Sequence, residues 1–408
     1  MSNTTENKIW IELPENDVIE PQLSIVIPAM NEELTIGDFV DWCQEGLRDA
    51  GVVGEILIVD SSSDRTSEIA LLHGARVLHV PKRGLGHAYI DAIPHIRGEW
   101  ILMGDADCTY DFRQLAPFVE KFQQGYEYVM GSRWAGSIEK GSMPPHHQYF
   151  GTPFTTWILN RLYSASFSDI HCGMRGITKT ALIRMELQSK SWEYASEMVL
   201  KSVHMNLNTA EVPVHFLKDR DGRVSHHKRE GWFSPFKAAW INLRAMFVYG
   251  SDFFAFGPGI VLLLLGMILV VPLTFGSLTL GAITFSLYWQ LLGVVFTIVG
   301  SVFLLGAGIS RVLFDYTGKG RKRWLSILSY TRALLFSGVF TVLGILLVLP
   351  LIRTYISNDL QIPIDETSET HLAITGLLLG LLGPVLFIFT LLTHAASLAT
   401  RYTPQELK

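Results

Sequence analysis

Short apolar runs alternate with longer mixed stretches over the first half of the chain. The runs at 23–27, 56–59, 76–80 and 99–103 are nearly continuous in apolar residues, which is typical of strands buried on both faces. The stretches between them are long enough for helices, and a further strand is predicted at 209–216. This alternation predicts an α/β domain with a doubly wound, mainly parallel sheet.

The second half of the chain is dominated by apolar positions. Segments 253–275, 285–309, 333–352 and 372–398 each reach the length of about 20 residues that a helix needs to cross a bilayer. Buried helices of water-soluble proteins rarely reach this length without a charge. We therefore interpret the four segments as transmembrane helices.

Between these two halves, aromatic and aliphatic residues recur at three- and four-residue steps. They are Phe233, Phe236, Trp240, Leu243 and Phe247. The spacing predicts an amphipathic helix, which could pack on the first domain or lie in the membrane surface. Because it leads directly into a membrane segment, we favour the interfacial position.

The predicted organisation has five parts. They are an N-terminal lead-in (1–21), an α/β domain (22–230), a juxtamembrane amphipathic helix (231–250), a four-helix transmembrane domain (251–400) and a cytoplasmic tail (401–408).

Charge in the connecting loops predicts the orientation. The loop between the second and third membrane segments is basic, whereas Arg353 is the only lysine or arginine between the third and fourth. The basic loop contains Arg311, Lys319, Arg321, Lys322, Arg323 and Arg332. Since positive loops stay in the cytoplasm, we predict an integral protein of a cell or ER-type membrane with its first domain cytoplasmic.

Overall charge and cysteine content narrow the function classes. The net charge of −5 gives no reason to propose a nucleic-acid partner. The three cysteines, Cys43, Cys108 and Cys172, are widely spaced and odd in number, so they predict neither a disulfide framework nor a zinc site. The polar first 20 residues lack the apolar core of a signal peptide.

The run ending at Met103 is followed by two carboxylates, Asp105 and Asp107. Ligands of α/β sheets bind beyond the carboxyl ends of the strands. Two hard oxygen ligands suit Mg²⁺ or Mn²⁺, which in turn neutralises a diphosphate. A plain turn is the alternative interpretation, because aspartate is common in turns.

Polar clusters also follow the other predicted strands. Pro28-Ala29-Met30-Asn31-Glu32 closes the first, the Asp60–Thr66 cluster closes the second, and Lys82-Arg83-Gly84-Leu85-Gly86 follows the third. Small residues such as Gly84 let backbone and a cation approach an anion. All of these clusters fall on one edge of the sheet, which predicts a shared ligand site.

Together with Gly131-Ser132-Arg133, Cys172-Gly173-Met174-Arg175 and an Arg220–Ser225 loop, these motifs resemble family 2 glycosyltransferases with a GT-A fold. Within that family they look like the polyprenyl-phosphate glycosyltransferases, the group containing dolichol-phosphate mannose synthase. The resemblance covers about residues 22 to 230, and the membrane part only in architecture.

The resemblance implies a role for each matching residue. Asp105 and Asp107 would hold Mg²⁺ or Mn²⁺ on the donor diphosphate and, with Arg133 and Arg220, form the catalytic set. The nucleotide sugar would meet Pro28, Ala29, Glu32, Asp60, Asp64, Gly84 and Asp105. The acceptor phosphate would meet Arg133, His147, Arg220 and Ser225. Glu197 lies where the family often has an acid beside the active site.

The sequence departs from the family pattern at two places. Thr109 stands where the family commonly has a glutamine, so that a hydroxyl or a water would serve there. His146 and His147 fall near a further arginine of the family. A histidine contact to the acceptor phosphate would weaken with rising pH.

The implied function is inverting transfer of a hexose from a nucleotide sugar, of the UDP-glucose or GDP-mannose class, to a polyprenyl phosphate at the cytoplasmic membrane face. A lipid phosphate is already ionised at neutral pH, so cations that hold it in line with the anomeric carbon replace a general base. The chain would therefore have a nucleotide-sugar donor, a lipid acceptor and the membrane as partners, with a homo-oligomer as a further possibility.

Two alternatives remain at this stage. One is a processive membrane polysaccharide synthase, whose typical Gln-x-x-Arg-Trp motif has its nearest match in Gly320-Arg321-Lys322-Arg323-Trp324. The other is a transport or scaffold protein for lipid-linked sugars, in which the first domain only binds nucleotide.

Overall fold

The computed structural model describes residues 9–145, 147–163, 165–191, 193–220, 222–223, 240, 244, 247–248, 250–315, 318–361 and 367–399. By its internal contacts the chain separates into two compact units, Met1–Met246 and Phe247–Lys408. Most of the predicted juxtamembrane helix at 231–250 lies outside the described residues.

The described residues of the first unit contain one eight-stranded sheet in the order β1-β4-β3-β2-β5-β7-β6-β8. The strands are β1 (Trp10–Glu12), β2 (Leu23–Ala29), β3 (Gly54–Asp60), β4 (Arg76–His79), β5 (Trp100–Met103), β6 (Tyr128–Ile138), β7 (Arg175–Thr178) and β8 (Thr209–Phe216). Strands β2 to β5 are mutually parallel, as are β6 and β8, while β1 and β7 pair antiparallel to their neighbours. The predicted doubly wound, mainly parallel sheet is confirmed.

Helices connect these strands. They are α1 (Ile36–Asp49), α2 (Thr66–Leu72), α3 (Leu85–Ala92), α4 (Ala116–Gln123), α5 (Thr152–Tyr163), α6 (Lys179–Met185) and α7 (Glu193–His204). Helix α1 buries Ile36, Phe39 and Val40 among its apolar positions, and the central strand β2 is buried from Leu23 to Ile27. The core therefore lies along β2, β3 and β5, which end at the predicted ligand edge.

Three strands of this sheet, β1, β6 and β7, were not predicted from the sequence. Strand β1 lies within the predicted lead-in, where Trp10 stacks on His79 of β4 with ring centroids 4.5 Å apart. Strand β7 begins with the buried Arg175, whose guanidinium donates to the carbonyl oxygens of Ala195 and Cys172. A buried charge that is satisfied by backbone carbonyl groups gives no apolar pattern in the sequence.

Within the described part of the second unit, four helices are long and apolar enough to cross a membrane. They are α8 (Ser251–Leu273), α9 (Leu287–Leu313), α11 (Tyr330–Ser357) and α12 (Ser368–Ala399). A hairpin of β9 (Leu278–Leu280) and β10 (Ile283–Phe285) joins α8 to α9, and a short helix α10 (Lys319–Ile327) precedes α11. All four predicted membrane segments are confirmed as helices.

Glycines and polar side chains hold the membrane helices together. Gly266 of α8 faces Gly293 and Thr297 of α9 so closely that a Cβ atom would lie 2.3 Å from Thr297 Oγ1. Gln290 of α9 donates to the carbonyl oxygen of His371 on α12 at 2.9 Å. Small residues permit close helix approach where no hydrophobic effect drives it, and buried amides add hydrogen bonds.

Candidate active site

The loops after β2 and β3 are linked by hydrogen bonds at the ligand edge of the sheet. The two strands are in register at Ala29 and Asp60. The backbone N–H of Glu32 donates to Thr66 Oγ1 at 2.9 Å, and Asp64 Oδ1 accepts from the Thr66 backbone N–H at 3.0 Å. Asp64 thus braces the start of α2, and its contact with a nucleotide sugar stays a prediction.

Asp60 is the most buried acid at this edge of β3, with 3% of its surface exposed. Its Oδ1 accepts from the Ser62 backbone N–H at 3.2 Å, and its Oδ2 lies 3.9 Å from His79 Nδ1. Burial raises the pKa of Asp60, against the opposing effect of the Ser62 and His79 contacts. An ionised Asp60 therefore benefits from any ligand that donates a hydrogen bond to it.

The Asp105 carboxylate packs closely against Gly173. A Cβ atom at Gly173, in the loop before β7, would come within 2.6 Å of Asp105 Oδ2. The backbone N–H of Gly173 donates to the hydroxyl of Tyr110 at 2.8 Å, which fixes that loop beside the Asp105–Asp107 turn. A side chain at Gly173 would collide with the Asp105 carboxylate.

Thr109 saturates one oxygen of Asp107. Its backbone N–H donates to Asp107 Oδ1 at 3.0 Å and its hydroxyl donates to the same oxygen at 2.6 Å. Because a carboxylate has about two lone-pair sites on each oxygen, Oδ2 is the atom that remains for a cation. Burial raises the pKa of Asp107, while Arg223 and the two Thr109 donors act against this shift.

Arg223 lies between two of these carboxylates. Its Nε and Nη2 donate to Glu32 Oε2 and Oε1 at 2.7 and 2.8 Å, and its Nη1 lies 3.3 Å from Asp107 Oδ2. Nη1 also donates to Asp219 Oδ1 at 2.6 Å. The side chain is only 4% exposed. The segment after β8 is thereby tied to the loops after β2 and β5.

Arg223 was not predicted as a site residue. No spacing separates it from its charged neighbours, and Glu32 and Asp107, which need a counter-charge, lie far from it in the sequence. The cluster of acids at the strand ends, matched with the cationic run after β8, is the signal that could have found it.

Arg133 and Arg220 are both paired with acids. The Arg133 guanidinium donates from Nε and Nη2 to the buried Asp169 at 2.6 and 2.8 Å. Arg220 pairs with Asp38 of α1 and stands 5.7 Å from the ring centre of Trp42. The role of the two arginines toward an acceptor phosphate stays a prediction.

Two other predicted acceptor residues lie at or beyond the limit of the described structure. The backbone of His147 begins a π-helical turn, His147–Gly151, that leads into α5. Its side chain, like His146 and Ser225, lies outside the described residues.

Gly84 and Gly86 meet the chain's own backbone. A Cβ atom at Gly84 would lie 2.5 Å from the Lys190 carbonyl oxygen, and one at Gly86 would lie 2.0 Å from that of Ser189. Gly84 also has φ at +110°, in the region that favours glycine. Close packing against the 189–190 loop is therefore one reason for these glycines, and contact of Gly84 with a nucleotide sugar stays a prediction.

Glu197 of α7 holds that same loop in place. Its Oε2 accepts from the backbone N–H groups of Gln188 and Ser189 at 3.1 and 2.8 Å, and its Oε1 lies 2.7 Å from Lys201 Nζ. Glu197 is fully buried. Both carboxylate oxygens of Glu197 are therefore engaged within the protein, where they hold the 188–189 backbone beside the start of α3.

The residues present fit a divalent cation that is shared with a ligand. Among the described residues, no group of three His, Cys, Asp or Glu side chains is arranged to hold a metal by itself. Asp105 and Asp107 supply two hard oxygen donors, and a guanidinium already stands as a cation at Asp107 Oδ2. Mg²⁺ is commonly bound through one or two carboxylates plus substrate phosphates, so the donor set agrees with that arrangement.

The mostly parallel sheet has the GT-A fold, and the chain belongs to glycosyltransferase family 2. Residues 24–185 match the family model described as glycosyl transferase family 2, and residues 306–397 match the glycosyltransferase family 2 C-terminal transmembrane region. The expected family and the GT-A fold are confirmed, and the chain is a membrane protein.

Two proteins of Haloferax volcanii and one crystal structure are similar to this chain. The low-salt glycan biosynthesis hexosyltransferase Agl6 of Haloferax volcanii is 36% identical over 300 residues, which cover 73% of this chain and 70% of that protein. A dolichyl-phosphate hexose transferase of the same organism is 29% identical over 207 residues, covering 50% of this chain and 85% of that protein. The crystal structure of mannosyl-3-phosphoglycerate synthase from Rubrobacter xylanophilus is 22% identical with a TM-score of 0.43, covering 55% of this chain and 72% of that one.

Proposed function

We propose that the protein transfers a hexose, with inversion, from a nucleotide sugar of the UDP-glucose or GDP-mannose class to a polyprenyl or dolichyl phosphate. The observation that carries this proposal is the pair of carboxylates after β5 in a chain whose described residues also form four membrane-length helices. The names of the two Haloferax relatives, a hexosyltransferase and a dolichyl-phosphate hexose transferase, support the same reaction class.

On the donor side, the base and ribose would lie against Pro28, Ala29 and the Asp60 carboxylate. The buried Asp60 would accept a hydrogen bond from the ligand, which offsets the cost of its ionised form. Glu32, Asp64 and Gly84 would shape the rim of the same site. A divalent cation on Asp105 and Asp107 would neutralise charge on the leaving diphosphate.

On the acceptor side, a lipid phosphate oxygen attacks the anomeric carbon as the bond to the diphosphate breaks, and the bonding electrons leave with the diphosphate. No protein base takes a proton, because the phosphate is already ionised. Arg133 and Arg220, with His147 and Ser225, would hold this phosphate in line. Arg133 would do so with Nη1, which lies outside its two contacts with Asp169.

The membrane part serves the acceptor. A polyprenyl chain remains in the bilayer while its phosphate reaches the first unit, for which an interfacial helix at 231–250 would set the depth. We propose that residues 22–230 form the glycosyltransferase domain on the cytoplasmic side, that 251–400 anchor it, and that 401–408 form a cytoplasmic tail.

The deciding experiment is transfer from a panel of labelled nucleotide sugars to a polyprenyl phosphate by the purified full chain, with Mn²⁺ or Mg²⁺ and with EDTA. A single organic-extractable product that requires the metal is the expected result, and it names the donor. A polymeric, water-soluble product would favour the polysaccharide synthase instead. Nucleotide release with glycan or protein acceptors alone would contradict the lipid acceptor, and nucleotide binding without any transfer would favour a transport or scaffold role.

A further inference from the structure

Arg223 occupies the position of a cation in the candidate metal site. Its guanidinium contacts Glu32 through two hydrogen bonds and approaches Asp107 Oδ2 at 3.3 Å. The second oxygen of Asp107 accepts two hydrogen bonds from Thr109. A metal that binds Asp107 must therefore use the oxygen that Arg223 approaches.

Charge gives the reason for a resident cation. Glu32 and Asp107 are largely removed from water, with side-chain exposures of 3% and 17%. Ionised carboxylates in such positions are unfavourable unless a positive group or a metal accompanies them. The guanidinium of Arg223 neutralises both acids. A divalent cation at Asp107 would neutralise that carboxylate itself, so the 3.3 Å contact with Arg223 would no longer be needed.

We infer that Arg223 is an exchangeable counter-ion, which neutralises the site in the metal-free protein and gives up Asp107 Oδ2 when a divalent cation binds. This inference rests on the metal site of the proposed function. It assigns Arg223 a positioning role, since its effect on the reaction passes through the metal and through its own segment.

The exchange would couple the two halves of the reaction. Residues 217–220 and 222–223 are held by the Leu217 backbone N–H on the Thr109 carbonyl oxygen, by Arg220 on Asp38 and by Arg223 on the acids. Loss of the Asp107 contact loosens the end of this segment next to Arg220. The arginine proposed for the acceptor phosphate thus becomes available after the donor's cation has bound.

Mn²⁺ affinity of the full chain in detergent tests the competition, with free Mn²⁺ read by electron paramagnetic resonance in the absence of nucleotide. Arg223→Gln is expected to bind Mn²⁺ roughly tenfold more tightly, the factor that follows if the guanidinium occupies the oxygen in about nine-tenths of the molecules. The Mn²⁺ affinity of Arg223→Lys is expected to lie between those of the wild type and Arg223→Gln, because an ammonium group cannot form the two hydrogen bonds that the guanidinium makes with Glu32.

Arg113→Gln is the matched control. Arg113 also pairs with an aspartate near the site, Asp111, but it has no contact with Glu32 or Asp107 among the interactions of the described residues. Its Mn²⁺ affinity should equal that of the wild type. Unchanged or weaker binding by Arg223→Gln, or equal tightening by Arg113→Gln, would overturn the inference.

A second measurement uses the wild-type chain and needs no variant to fold. With Mn²⁺ bound, as established by the same resonance signal, trypsin should cleave after Arg220 and Arg223 faster than in the metal-free protein. Cleavage that is unchanged or slower while Mn²⁺ is bound would overturn the exchange.

Failure of this inference is distinguishable from failure of the proposed function. Lipid-linked product from the wild type together with unaltered Mn²⁺ binding by Arg223→Gln rejects only the exchange. Tighter Mn²⁺ binding by Arg223→Gln without any lipid product from the wild type supports the exchange and rejects only the acceptor.

Discussion

At the residue scale, the paired carboxylates after β5 are held by different neighbours. Asp105 packs against Gly173, and one oxygen of Asp107 accepts two hydrogen bonds from Thr109. We expect Asp105→Ala and Asp107→Ala each to lower transfer by at least about 100-fold, because several kcal/mol of charge stabilisation on the leaving group is lost. Product formation at saturating Mn²⁺, with unfolding temperature as the check on folding, measures this.

Asp41→Ala is the control for that experiment. Asp41 is an aspartate of the same unit that pairs with His73 on an exposed surface. It should retain wild-type transfer. Near wild-type activity in both site variants would remove the metal assignment.

Asp60 gives a pH-dependent prediction. Burial raises the pKa of this carboxyl above its ordinary value of 3.8, so the folded protein binds the proton more tightly than the unfolded chain. The stability gained from that proton is complete at pH below 3.8 and is lost as the pH rises through the folded-state pKa. Asp60→Asn should therefore raise the unfolding temperature at pH 7 and lose this advantage in acid.

The same substitution should weaken donor binding, because an amide replaces the charged acceptor proposed for the nucleotide. Unfolding temperatures from pH 3 to 8 and the KM for the nucleotide sugar measure the two effects. A variant that is less stable than wild type at pH 7 would argue against a buried, ionised Asp60. Asp41→Asn, at the exposed pair with His73, is the control and should show neither effect.

The residue scale also shows what a single sequence can and cannot predict. Asp60, Asp105 and Asp107 were predictable, because acids directly after buried parallel strands must reach one edge of the sheet. Arg223 was not, since its partner Glu32 is 191 positions away in the sequence. The close packing of Gly86 on Ser189 depends on a loop whose course no local pattern specifies.

At the element scale, prediction succeeded where burial was continuous. Strands β2, β3 and β5 were predicted within two residues, because strands covered on both faces are apolar throughout. Strand β8 was predicted with the bounds that it has from the alternation of buried Val212 and Val214 with exposed Pro213 and His215. Strand β1 has three residues at a sheet edge and is only partly buried, so it carries no comparable signal. The membrane helices were predictable from the length of their apolar segments, whereas the helix against which each one packs was not.

The contact of α11 with α12 gives a prediction at this scale. A Cβ atom at Gly344 would lie 2.4 Å from the backbone nitrogen of Gly380 and 2.6 Å from the Gly376 carbonyl oxygen. Gly344→Val should therefore separate the two helices and cost about 1–3 kcal/mol. Thermal unfolding of the full chain in detergent measures the loss.

Gly338→Val is the matched control on the same helix, because a Cβ atom there meets nothing within 4 Å. Both variants place a β-branched residue in α11, so helix propensity is equal. Equal unfolding temperatures for the two variants would show that the close approach at Gly344 contributes nothing to stability.

For the whole molecule, the charge of the loops predicts which side of the membrane each one faces. Lys322 of α10 and Asn358 after α11 are both exposed and lie at opposite ends of α11. A membrane-impermeant maleimide applied to intact cells should label Asn358→Cys but not Lys322→Cys, which should react only after the membrane is opened. The reverse pattern would invert the proposed orientation.

The native cysteines do not obscure this measurement. Cys43, Cys108 and Cys172 are all buried, so the wild-type chain should stay unlabelled until it is denatured. Labelling of the folded wild type would require these cysteines to be replaced before the loops can be assigned.

The length of α12 has a consequence for the membrane around the protein. Its 32 residues extend about 48 Å at the α-helical rise, whereas the hydrocarbon core of a bilayer is about 30 Å thick. The helix must therefore tilt strongly or carry its polar first turn, Ser368–His371, into the headgroup layer. The tilt of α12 should therefore depend on bilayer thickness, because a thinner or thicker bilayer changes the hydrophobic mismatch that this helix has to accommodate.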